Sequence, residues 1–160
     1  MYHERQRRQL CLLHTLNSIM QSEEFTQEQL DNICYNLDDR RWFNPHKSWL
    51  NLGNYDVNVL WFDSRLDPSK IRLDMVNALV FNIPSRYMPF WTSRHWYTVL
   101  KREDGSFVNL DSKLDEPEII PDIVAYTREK LAKTADKVQI LLVSSMDSSE
   151  LVSHDETPSS

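Results

Sequence analysis

Apolar residues at positions 12, 13, 16, 19 and 20 recur at intervals of three and four. That spacing predicts a helix over LCLLHTLNSIMQ, with Leu12, Leu13, Leu16, Ile19 and Met20 toward a core. Thr26 followed by Gln29 has the form of a capping box and predicts a second helix, whose stripe is Leu30, Ile33, Cys34 and Leu37. Residues 38–58, DDRRWFNPHKSWLNLGNYDVN, are rich in turn formers and predict a loop. The texture then changes to short apolar runs. VNVLWF, ALVFNI, HWYTVL, SFVNL and VQILLV predict five strands, with a hairpin at Asp104-Gly105 between the third and fourth. Pro117 and Pro121 mark the start of a last helix that runs to about Thr134 and buries Ile120, Ile123, Val124 and Leu131. Helices first and mostly adjacent strands afterwards predict an α+β fold, a helical layer packed on an antiparallel sheet. The folded unit is expected over residues 1–143, followed by a disordered, serine-rich acidic tail over 144–160.

Composition narrows the chemistry. The 160 residues suit one domain with its own core, and a net charge of −6 offers no field for nucleic acid. Arg5, Arg7 and Arg8 are too few to change that expectation. The sequence contains no apolar run of membrane-spanning length, and the first twenty residues lack the order of a secretory signal, so a cytoplasmic or nuclear protein is expected. Only Gly53 and Gly105 are glycines, too few for Walker-type or dinucleotide phosphate loops. Cys11 and His14 are closely spaced, but no second such pair completes a zinc site; no metal and no cofactor are expected.

The two cysteines fall on different faces. Cys34 lies on the apolar stripe of its helix, where a free thiol is ordinary packing. Cys11 shares a polar face with His14, Thr15, Ser18 and Ser22, in the first helical turn, where unpaired N–H groups favour a thiolate. The residues alone leave it open as a nucleophile or a surface thiol. A nucleophile needs an imidazole and an orienting group from elsewhere in the fold. His95 opens HWYTVL, and Asp111 follows one hairpin later. A three-residue loop ending at Gly105 sets Asp111 opposite Tyr97 and on the face of His95, whereas a two-residue turn sets it on the other face. Both registers are compatible with the sequence.

RQRRQLCLLHTLNSIMQ, GNYDVNV, SRHWYTVL and FVNLDSKL together resemble the Josephin family of deubiquitinating cysteine proteases, over about residues 2 to 143. The resemblance implies a papain-like fold and hydrolysis at the C-terminal glycine of ubiquitin. It implies Cys11 as nucleophile, His95 as general base and acid, Asp111 as the residue orienting the imidazole, and Gln6 as an oxyanion-hole donor. Trp96, beside the histidine, is expected to wall a narrow cleft. Ubiquitin and ubiquitinated proteins are the implied partners, and a monomer is expected. One departure stands out: GNYDVNV runs directly into LWFDSRLDP, where the family pattern has a helix of about a dozen residues. Its loss is expected to expose Leu60, Trp61 and Phe62. It also motivates an alternative, a ubiquitin-binding adaptor with impaired catalysis.

Overall fold

A computed structural model describes residues 1–3, 11–23, 25–28, 58–88, 91–134, 138–145 and 151–153. Among the described residues, two helices can be given bounds, α1 (Cys11–Met20) and α2 (Ile123–Thr134), with six strands: β1 (Asn58–Trp61), β2 (Ala78–Met88), β3 (Trp91–Lys101), β4 (Phe107–Asn109), β5 (Glu118–Ile120) and β6 (Gln139–Ser144). The strands form one sheet in the order β1-β6-β2-β3-β4-β5, with every pairing antiparallel. The fold is α+β, as the residue pattern predicts, and papain-like, as the resemblance implies. The stripe containing Cys34 and the loop before Asn58 lie outside the described residues.

Alternation along the central strands divides the apolar residues between two faces. Leu79, Phe81, Tyr97, Val99, Ile140 and Leu142 build the main core, together with Ile123 and Leu131 of α2. Ala78, Val80, Leu141 and Val143 point the other way, where Ile19 of α1 packs on them. On that same side the Thr98 hydroxyl donates to the Thr15 carbonyl at 3.1 Å. The sheet is therefore covered by α1 on one face and α2 on the other. Proline at position 84 is compatible with β2 because pairing with β6 ends at Asn82, leaving an edge beyond it.

Several expectations are corrected. The side of α1 carrying His14, Thr15 and Ser18 is buried, because the helix is enclosed around most of its circumference. Glu118–Ile120 is a strand paired with β4, and Ile120 is buried from there. The helix begins at Ile123 because Asp122 caps it, its carboxylate accepting the Ala125 N–H at 2.9 Å. Phe62 is buried in the main core, while Leu60 and Trp61 are half-buried against the cores of opposite faces. Pairing of β1 with β6 sends its alternate side chains to two covered faces, so direct entry into this strand leaves none of the three stranded. Part of the expected tail is also packed. Leu151 is fully buried, Val152 bridges Ile71, and the Arg72 N–H donates to the Leu151 carbonyl at 2.9 Å. A lone Leu-Val pair in a serine-rich acidic stretch carries no periodic signal, so its burial depends on the groove it meets.

Candidate active site

The hairpin between β3 and β4 fixes the register that the sequence left open. Lys101 pairs with Phe107, Leu100 with Val108 and Val99 with Asn109. The Arg102 N–H bonds the Ser106 carbonyl, leaving a three-residue loop that ends at Gly105, with φ of +83°. That positive φ is the left-handed conformation such loops require, and glycine adopts it without steric cost. Continuing the register places Asp111 opposite Tyr97, on the face of His95. The His95 Nε2–H donates to Asp111 Oδ1 at 2.7 Å. The imidazole also lies over Tyr97, with ring centroids 5.9 Å apart, and Tyr97 in turn stacks on Phe81 at 5.1 Å.

Cys11 reaches this pair from the opposite face. Even-numbered residues of β3 turn their backbone polar groups toward β4, as the bond from the Leu110 N–H to the Thr98 carbonyl shows. The strand β4 begins at Phe107 and extends only to Asn109. Beyond it the backbone N–H groups of Trp96 and Leu12 both favour the Cys11 thiolate. Around this stretch of the β3 edge, beyond the end of β4, the sulfur and the imidazole are near enough that each favours the charged form of the other. Trp96 contributes its backbone here, and its half-buried indole packs with the α1-side core.

The electrostatics follow from the contacts. Burial would push the Cys11 thiol up, but the His95 hydrogen bond, the Trp96 N–H, the imidazole charge and the Leu12 N–H outweigh it and hold the thiol below its usual range. Burial opposes charge on His95 too. The hydrogen bonds to Asp111 and Cys11 and the Asp111 charge overcome it and raise the imidazole, against a smaller opposing effect of Lys113. With Nε2 committed to the carboxylate, Nδ1 is the ring nitrogen left for the thiol proton.

Asp111 is held by its surroundings. Its N–H donates to Asn109 Oδ1 at 3.0 Å, and its Oδ1 also accepts the Lys113 N–H at 2.9 Å. Its carbonyl accepts the Leu114 N–H at 2.9 Å and His3 Nε2–H at 3.1 Å. Sequence reasoning did not assign Asn109 or His3 to the site. Asn109, two residues before the carboxylate, was open to recognition as a local side chain-to-backbone partner. His3 has no signal in sequence, because 108 residues separate it from Asp111. Asn17, within the polar run of α1, holds the next loop: its Oδ1 accepts the Phe25 N–H at 2.9 Å. Gln6 lies outside the described residues. No cluster of potential metal ligands occurs among the described residues.

A helix-borne sulfur, a strand-borne imidazole and a carboxylate on a papain-like frame define a thiol-chemistry class of site. The Josephin family model matches residues 6–144, and the chain belongs to the Josephin family. It is 42% identical over 138 residues to a Drosophila melanogaster Josephin-like protein, covering 74% of this chain and 62% of that protein. Human Josephin-2 is 41% identical over 138 residues, covering 76% of this chain and 73% of the relative. Human Ataxin-3 is 26% identical over 142 residues, covering 76% of this chain and 39% of the relative. The chain thus spans less than two thirds of the Drosophila relative's length. Seventy-six per cent of 160 residues is about 122, against 138 aligned positions with Josephin-2, so about 16 positions of that alignment have no counterpart here. Membership supports a deubiquitinase-like role.

Proposed function

We propose that this protein is a thiol hydrolase that cleaves isopeptide or peptide bonds at the C-terminal glycine of ubiquitin. The observation that carries the reading is the Cys11–His95–Asp111 array, with the thiol lowered and the imidazole raised toward an ion pair. In that mechanism the Cys11 thiolate attacks the glycine carbonyl carbon, forming the S–C bond while the π electrons move onto oxygen. The backbone N–H of Cys11 and the Gln6 side chain, which the family resemblance implies, would receive that oxyanion, a donor being worth about 3 kcal/mol. As the carbonyl re-forms, the C–N bond breaks and imidazolium of His95 gives its proton to the departing amine. Water then attacks the thioester, His95 takes its proton, and the thiolate leaves. Asp111 keeps Nε2 occupied and the ring oriented throughout.

Ubiquitin carrying a C-terminal electrophile tests this. Wild type is expected to form a covalent adduct that Cys11→Ala and His95→Ala do not; labelling that persists in Cys11→Ala would refute the assigned nucleophile. The alternative, a ubiquitin-binding adaptor with impaired catalysis, draws on the roughly 16 unmatched positions. Chain binding without turnover would favour it, and ready cleavage of a lysine-linked chain would exclude it. The expectation of a cytoplasmic or nuclear monomer acting on ubiquitinated proteins belongs to the same proposal.

A further inference from the structure

His3 sits apart from the three residues of the array, yet its ring meets the backbone of one of them. A carbonyl oxygen only accepts, so the 3.1 Å contact between His3 Nε2 and the Asp111 carbonyl requires the proton to lie on Nε2. The short segment carrying His3 is itself fastened. The Tyr2 N–H donates to Gln21 Oε1 at 2.9 Å, and Gln21 Nε2 donates back to the Tyr2 carbonyl at 3.3 Å. Gln21 closes α1 with φ of 56°, and the Ser22 N–H returns to the Asn17 carbonyl at 3.2 Å. Its Nε2 also bonds the Ser18 carbonyl at 2.6 Å. The helix that bears Cys11 therefore holds, from its far end, the segment that reaches Asp111.

The other Asp111 contacts described above come from His95 or from the Asp111 loop itself: Asn109, Lys113 and Leu114. The turn is also tied to the sheet, through the Leu110 N–H on the Thr98 carbonyl at 2.8 Å and Lys113 Nζ on Ser85 Oγ at 3.2 Å. The His3 bond adds a tie to the segment that α1 holds. We propose that His3 is a positioning residue, holding the Asp111 carbonyl so that its carboxylate stays in line with His95 Nε2. For its consequence in turnover the inference rests on the thiol-hydrolase reading; for the state of the thiol it does not.

The test is the pH dependence of Cys11 alkylation by iodoacetamide in the full chain, followed by mass spectrometry of the peptide bearing Cys11. Loosening Asp111 weakens its support for imidazolium, and a less charged His95 supports the thiolate less. His3→Leu, without a donor, is expected to move the alkylation midpoint up by about half a unit, a roughly threefold slower reaction below the midpoint. His3→Gln, whose amide can donate from nearly the same place, is expected to restore the wild-type profile. Should the leucine variant lose its near-ultraviolet dichroism, His3→Asn, whose amide is too short to reach, takes its place. Superimposable profiles for wild type and the donor-less variant would overturn the inference, as would a glutamine variant shifted equally. Ubiquitin plays no part in alkylation, so failure of the ubiquitin reading appears separately, as absent adduct formation by wild type.

Discussion

The two halves of β3 share a backbone geometry and differ in what lies along one edge. At Val99 and Leu100 the strand is paired with both β2 and β4, and the two side chains pack in the cores of opposite faces. At His95 and Trp96 the β2 pairing continues, but β4 has ended at Asn109. In the first half a β4-facing backbone group is used by the ladder, as at Thr98; in the second the Trp96 N–H favours a thiolate at Cys11. The candidate site thus arises where β4 ends and the Cys11 end of α1 comes beside the β3 edge. An unpaired buried N–H costs about 1–3 kcal/mol, so the gap favours an acceptor, and a thiolate is one.

The sharpest way to break that contrast is at the sulfur and the imidazole. Cys11→Ala and His95→Ala are each expected to lower turnover of a ubiquitin substrate by about 10⁴-fold, and the double variant by little more, because the two act as a unit. Single-turnover kinetics checks this. Next in size is Asp111→Ala, expected to cost about 10²-fold while adduct formation persists, since the thiol and imidazole remain in contact. In the paired half the expectation inverts. Leu79→Ala empties a fully buried position on β2 and is expected to cost about 2–5 kcal/mol in denaturant unfolding. The alkylation profile of Cys11 is expected to stay in place in that variant. A profile that moved with it would mean that the free edge and the ladder are not separable.

The same contrast explains what the sequence revealed. Strands that cross the core, such as ALVFNI and VQILLV, announce themselves because both faces demand apolar side chains. Glu118–Ile120 does not: an edge strand of three residues beside two prolines carries too little period to be told from a helix start. The face of α1 bearing Cys11 was legible as polar, but not as buried, because enclosure depends on partners distant in sequence. The β3–β4 register was narrowed to two choices by Gly105, and the backbone conformation there selects one. Leu151 and His3 escaped entirely, since each is placed by contacts with residues distant in sequence.

The smallest expected effect concerns which neighbour holds the proton on His95. Its folded value lies above the unfolded one, so its contribution to stability is fully present below about 6.5 and is lost as pH rises through the raised value. Cys11 has the opposite sign: its contribution is present above about 9 and is lost as pH falls through the lowered value. Because the two are in contact, turnover should follow a bell whose limbs belong to the pair. Among the influences that raise the imidazole, the Asp111 hydrogen bond is larger than that of Cys11. Asp111→Asn keeps an oxygen acceptor but removes the charge, and Cys11→Ala removes the sulfur alone. Imidazole titration by NMR is therefore expected to show a downward shift in both, larger in Asp111→Asn. A larger shift in Cys11→Ala would place the main support for the imidazolium at the free edge of β3 rather than on the hairpin, reversing the order in which the two sides of the cleft act.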